Sequence, residues 1–115
     1  SWTLMVEKKF PEFKDYVSDS ATPMLETAKY IKSVEPEARI TFIGPCISKK
    51  LEGMRDHVKD YVDYVITYEE LMGMFVAKDI EPADMEVSSD IKYSSSLGRG
   101  FAAAGGVANA VKETA

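Results

Sequence analysis

The run Tyr61-Val-Asp-Tyr-Val-Ile66, followed at once by Thr67-Tyr-Glu-Glu70, constrains this chain more than any other stretch. β-Branched and aromatic residues in a short run read as a strand. Thr67 and Glu70 then have the spacing of a capping box, in which hydroxyl and carboxylate satisfy each other's backbone N–H groups. Ile66 and Leu71 stand where a hydrophobic staple closes the same turn. Leu71, Met74 and Phe75 are expected on the inward face of the following helix. Met72, Met74 and Phe75 also cluster, and core packing rather than a binding groove is their expected use. With a second βα unit upstream, this pattern predicts parallel strands joined by right-handed crossovers. The expected fold class is α/β: a small parallel-sheet lobe of βα units, with helices packed on the sheet.

The upstream unit is Arg39-Ile-Thr-Phe-Ile-Gly-Pro-Cys-Ile-Ser-Lys-Lys-Leu-Glu52, and it holds the only cysteine. Ile40 to Ile43 reads as a buried strand of the parallel-sheet kind. Gly44-Pro45 ends it and delivers Cys46 to the strand's C-terminal edge, where a helix should begin. Open α/β sheets place their ligand sites at that edge. A helix dipole, with Lys49 and Lys50 within one turn, favours the thiolate, the form that attacks electrophiles and binds metals. A buried structural cysteine is the other use of a lone thiol. These residues alone leave both readings open.

Upstream again, Trp2, Met5, Val6 and Phe10 have helical spacing, and Phe13, Tyr16 and Val17 continue an apolar face after Pro11. Thr22-Pro23 is a helix opening, with a hydroxyl cap and proline at the first position. Met24, Leu25, Ala28 and Ile31 then form a buried stripe, and Glu35-Pro36-Glu37 ends the helix. From Glu81 to Ser96 the pattern is polar, a loop with one short strand near Met85 to Val87. Leu97 to Lys112 is a helix rich in Gly and Ala, whose glycines call for close approach to a backbone or a bulky ligand. Gly98, Gly100 and Ala103 trace the outline of a dinucleotide fingerprint. No convincing strand precedes them and no acidic ribose ligand follows, so that reading is set aside.

The chain has 115 residues, enough for one modest domain. Hydrophobic residues at 45% and charged residues at 29% suit a soluble globular protein. A net charge of −5, with acids and bases mixed, argues against nucleic acid as a partner. The longest apolar-rich run is too short and polar to span a membrane. One cysteine excludes an internal disulfide framework and fits a reducing, cytoplasmic location. A structural zinc site or an iron–sulfur cluster usually takes four protein ligands. One thiol and one histidine, His57 on a strongly charged stretch, do not supply them, and His57 is expected at the solvated surface.

Three ordered stretches resemble the C-terminal region of the iron-only hydrogenase large subunit. Phe10-Pro-Glu-Phe-Lys-Asp-Tyr-Val-Ser18 through Thr22-Pro23 is similar to the family's Tyr-Pro-Glu, Leu-Ser and Ser-Pro segment. Gly44-Pro-Cys-Ile-Ser-Lys-Lys-Leu-Glu52 is similar to its second cysteine motif, Met-Pro-Cys-x-x-Lys-x-x-Glu. Val62-Asp-Tyr-Val-Ile-Thr-Tyr-Glu-Glu-Leu71 is similar to its Val-Asp-x-Val-Leu-Thr-x-x-Glu-Leu. The small-residue tail from Gly100 to Val111 resembles its Gly-Gly-Val segment.

The resemblance implies a 4Fe–4S cluster bridged to a two-iron centre carrying CO and cyanide, which interconverts protons, electrons and dihydrogen. Cys46 matches the cysteine of the second motif, one of four cluster ligands. Lys49 matches the lysine that donates hydrogen bonds to a cyanide ligand, and Glu52 matches the glutamate that would partner it. Ser18 aligns with a serine of the proton-relay region. Of the first cysteine motif only Trp2 remains, and the third, with its paired cysteines, is absent. Gly44 replaces a methionine, which implies different packing at the two-iron site and points toward the sensory or divergent members. The expectation is therefore that residues 1–115 form one domain, a piece of a larger protein, holding no cofactor and inactive by itself. Its partners would be the remainder of the parent chain and a ferredoxin-like electron carrier. Two other classes compete: a free-standing α/β module with a reactive thiol, as redox sensor or thiol enzyme, and a structural domain docking a partner through its Gly/Ala helix.

Overall fold

A proline at the first helical position and an apolar stripe on one face build the longest helix, and the rest of the core gathers on it. The computed structural model describes residues 2–87 and 95–114. Helix α1 is Trp2–Lys9 and is followed by a 3-10 turn, Pro11–Tyr16. Helix α2 is Pro23–Val34, with Met24, Leu25 and Ala28 buried as the stripe predicts. Strand β1 is Thr41–Ile43, α3 is Ser48–Gly53, β2 is Tyr64–Ile66 and α4 is Tyr68–Val76. Beyond a 3-10 turn at Pro82–Asp84 come α5, Ser96–Gly100, and α6, Gly106–Thr114.

The strands pair in parallel, Thr41 with Tyr64, Phe42 with Val65 and Ile43 with Ile66. The α/β class with βα units is thereby observed, on a two-stranded sheet among the described residues. Met24, Leu25, Ala28, Val58 and Val62 form the core, with Ile40, Phe42, Tyr61 and Val65 packed against it. Asp63 pins the start of the sheet: its carboxylate accepts from the Ile40 backbone N–H at 2.7 Å and from Arg39 at 2.8 Å. Those contacts, the backbone N–H first, hold its carboxyl below the ordinary value. Helix α3 packs on β2, so closely that a Cβ on Gly53 would lie 3.0 Å from the Val65 side chain.

Four expectations need correction. Ile40 to Ile43 is not covered on both faces, because Thr41 is exposed and Ile43 is 41% exposed. The second strand is three residues long rather than six, since Tyr61 and Val62 close turns onto the Val58 carbonyl at 2.9 and 3.1 Å. On α4, Leu71 and Phe75 are half-buried as expected, but Met72 and Met74 face solvent, 46% and 57% exposed. A two-stranded sheet gives that helix only a narrow seam to bury. No strand forms at Met85 to Val87, and Val87 is 99% exposed. The remainder of the predicted loop, 88–94, lies outside the described residues.

The chain divides into two compact units, 1–82 and 83–115. In the second, the expected Gly/Ala helix is two helices. Gly105 reverses the chain with φ +75°, a left-handed conformation suited to glycine. A Cβ on Gly106 would lie 1.9 Å from the Gly100 carbonyl oxygen. Gly106 thus answers to a neighbouring backbone, one of the two reasons the abundance of glycine suggested.

Candidate cofactor-ligand site

The site begins where β1 ends. Gly44 N–H donates to the Ile66 carbonyl at 3.2 Å, extending the strand pairing by one residue. A Cβ there would stand 2.9 Å from the Phe42 ring, so the glycine makes room for an aromatic side chain packed on the core. Pro45 and Cys46 follow, and the Cys46 carbonyl accepts from the Lys49 backbone N–H at 3.0 Å. Cys46 is half-buried. The residue follows the C-terminal end of β1 by three positions. Helix α3 starts from Ile47 with no side-chain cap and is six residues long, so its dipole is a short one.

The two lysines beside the cysteine go to different carboxylates. Lys50 reaches α4, its ammonium 2.7 Å from both oxygens of Glu70. Lys49 stays within α3, its Nζ 2.7 Å from Glu52 Oε2, the partnership the family resemblance implies. Both members of this pair are well covered, with side chains 18% and 10% exposed. The other Glu52 oxygen accepts from the hydroxyl of Thr22 at 2.5 Å, across 30 positions of sequence. Burial pushes the Glu52 carboxyl up, but the hydrogen bonds from Lys49 and Thr22 outweigh it and hold the group below 4.5.

This finding also corrects the expected helix cap. Thr22 occupies the N-cap position of α2 but makes no side-chain cap bond; its hydroxyl belongs to Glu52. Nothing local in the sequence carries that signal. Glu52 also borders a cleft of about 490 Å³, lined by Ser18, Ser20, Thr22, Arg55 and His57 among others. Ser18 is exposed there, and its hydroxyl donates to Ser20 Oγ at 3.0 Å. Arg55 crosses to Glu7 of α1 at 2.7 Å. His57 is exposed, as expected. Of the four predicted site residues, Lys49 and Glu52 touch, Ser18 shares a cleft with Glu52, and Cys46 precedes them on the approach to α3.

The whole chain, residues 1–115, matches the family described as iron-only hydrogenase large subunit, C-terminal domain. The chain belongs to that family. A curated relative, the cytosolic Fe-S cluster assembly factor NAR1 of Kluyveromyces lactis, is 34% identical over 73 residues, 64% of this chain. The match spans 16% of that protein's length. No solved structure matches the chain.

The family implies an iron–sulfur group, and the donor set can be tested against it. A cubane takes four cysteine thiolates, and this chain has one. Among the described residues no three His, Cys, Asp or Glu side chains gather as a metal-holding set. These residues therefore do not fit a complete cluster by themselves; Cys46 is the one thiol they offer. No helix among the described residues is long and apolar enough to cross a membrane.

Proposed function

We propose that in the intact hydrogenase-like protein Cys46 supplies one of the four thiolate ligands of a 4Fe–4S cluster joined to a two-iron centre, the remaining ligands coming from other segments. Such a centre, when bound, exchanges electrons with protons and dihydrogen. The observation that carries the reading is the order along one short path: a half-buried thiol at the strand edge, then a covered ammonium held by a buried carboxylate. Lys49 offers a compact positive charge with rotatable donors, suited to an anionic ligand beside the iron. Glu52 keeps that charge in place, and with Ser18 it borders the cleft through which a proton would travel. A ferredoxin-like protein is the electron partner this reading calls for, in the cytoplasm.

The likeness to a cluster assembly factor favours a second reading, in which the intact protein carries an iron–sulfur cluster for assembly and has no hydrogen chemistry. One experiment addresses both. Cys46→Ala in the intact protein is expected to lose most of its bound iron and acid-labile sulfide, and hydrogen evolution with a reduced dye falls to background. Unchanged iron content contradicts the ligand role. Iron loss from a parent that evolves no hydrogen supports the assembly reading.

A further inference from the structure

Thr22 gives up the bond its position normally makes. At an N-cap, a threonine hydroxyl ordinarily accepts from an early helix N–H. Here the helix opens on Pro23, Thr22 is extended at φ −71° and ψ 157°, and no side-chain cap bond forms. The hydroxyl instead donates to Glu52 Oε1, while Lys49 donates to Glu52 Oε2. Each carboxylate oxygen therefore holds one donor, and the two donors come from different helices.

We propose that Thr22 is a positioning residue: by fixing the Glu52 carboxylate from α2, it fixes the Lys49 ammonium that follows Cys46. The inference rests on the reading of Lys49 as the cation beside the cluster ligands. A lysine ammonium sits on a flexible four-carbon stem and can follow any carboxylate that turns. A carboxylate gripped by one mobile donor turns with it. A second donor on a rigid base removes that freedom. Thr22 is such a base, because its β-branched side chain has few rotamers. It also stands two residues before Met24 which, with Leu25 and Ala28, anchors α2 in the core. Lys50 does not compete for Glu52, being held by Glu70. The covered pair has a further need for the hydroxyl, since a charge pair taken out of water keeps its place only when its remaining polar sites find partners.

The test labels lysine Nζ with 15N in the intact protein and follows the Lys49 ammonium resonance, assigned by its loss in Lys49→Arg. Thr22→Val keeps the shape and removes the donor; Thr22→Ser keeps the donor. Proton exchange of the Lys49 ammonium with water is expected to quicken about tenfold in Thr22→Val, the scale of one lost hydrogen bond to a charged group. In Thr22→Ser it stays within about twofold of the parent by the same measure. Equal exchange in both variants, or Thr22→Ser behaving as Thr22→Val does, overturns the proposal. If Thr22→Val does not fold, the unaltered protein decides: a persistent H/D isotope shift on Glu52 Cδ from the Thr22 hydroxyl supports it, and none overturns it. Iron content of Cys46→Ala is read separately. Retained iron there removes the ligand role while leaving the Thr22 result standing, so the two failures are distinguishable.

Discussion

At the end of β2 the chain enters α4 through one residue, Thr67, whose hydroxyl accepts from Glu70 N–H while its own N–H donates to the Glu70 carboxylate. At the end of β1 the chain takes four residues, Gly44 to Ile47, to reach α3, and no side chain caps that helix. The strands before these turns are in register and of equal length. What differs is where each turn finds its hydrogen-bond partners. The β2 turn caps itself within four residues, and its side chains are committed to the fold, Glu70 also receiving Lys50 from α3. The β1 turn makes local backbone bonds only, from the Lys49 and Lys50 N–H groups to the Cys46 and Ile47 carbonyls, and the Glu52 carboxylate of the helix that follows is held by Thr22, 30 positions away. A turn that leaves its helix without a side-chain cap is where a fold keeps chemistry-bearing groups available.

The contrast can be broken from either side. The largest loss of stability is expected from Glu52→Ala, which leaves the covered Lys49 ammonium without its carboxylate, at a cost of about 3 kcal/mol. Denaturant unfolding checks the size, and acid titration checks the cause. Because the folded carboxyl titrates below its ordinary 4.5, its contribution is present above that value and lost as pH falls through the lower folded one. The variant should lack that part of the acid decline, and a parallel decline in both proteins would count against the pairing.

Gly44→Met comes next, since its Cβ meets the Phe42 ring. Overpacking of this kind costs about 1–3 kcal/mol, and adding Phe42→Leu should recover part of it in a double-mutant cycle. Purely additive losses would mean the two positions are independent. Thr67→Ala is the smallest, about 1 kcal/mol for a lost cap, with iron content of the intact protein unchanged. Loss of iron in that variant would erase the distinction between the turns.

The capping box was legible because it lies within four consecutive residues, where helix geometry alone brings the side chains together, and the Lys49–Glu52 pair was legible through the motif the resemblance rests on. The Thr22–Glu52 bond was not, because a separation of 30 residues is bridged only by tertiary packing. Val62 reads as strand because it is β-branched, yet its side chain serves the core, 4% exposed, outside the paired residues. Met74 reads as inward-facing from its spacing, but spacing does not tell how wide a surface the helix meets. The break at Gly105 hides in a stretch where every neighbour is equally small. Family membership was legible through ordered motifs spread over most of the chain, which physical reading of any one of them did not reach.

In the proposed function the Cys46 sulfur binds iron. Replacing Cys46 by selenocysteine in the intact, iron-loaded protein makes that one atom visible by selenium-edge X-ray absorption. Iron in the first shell around selenium, beside its own carbon, is the predicted result; a selenium with only light-atom neighbours would contradict the account.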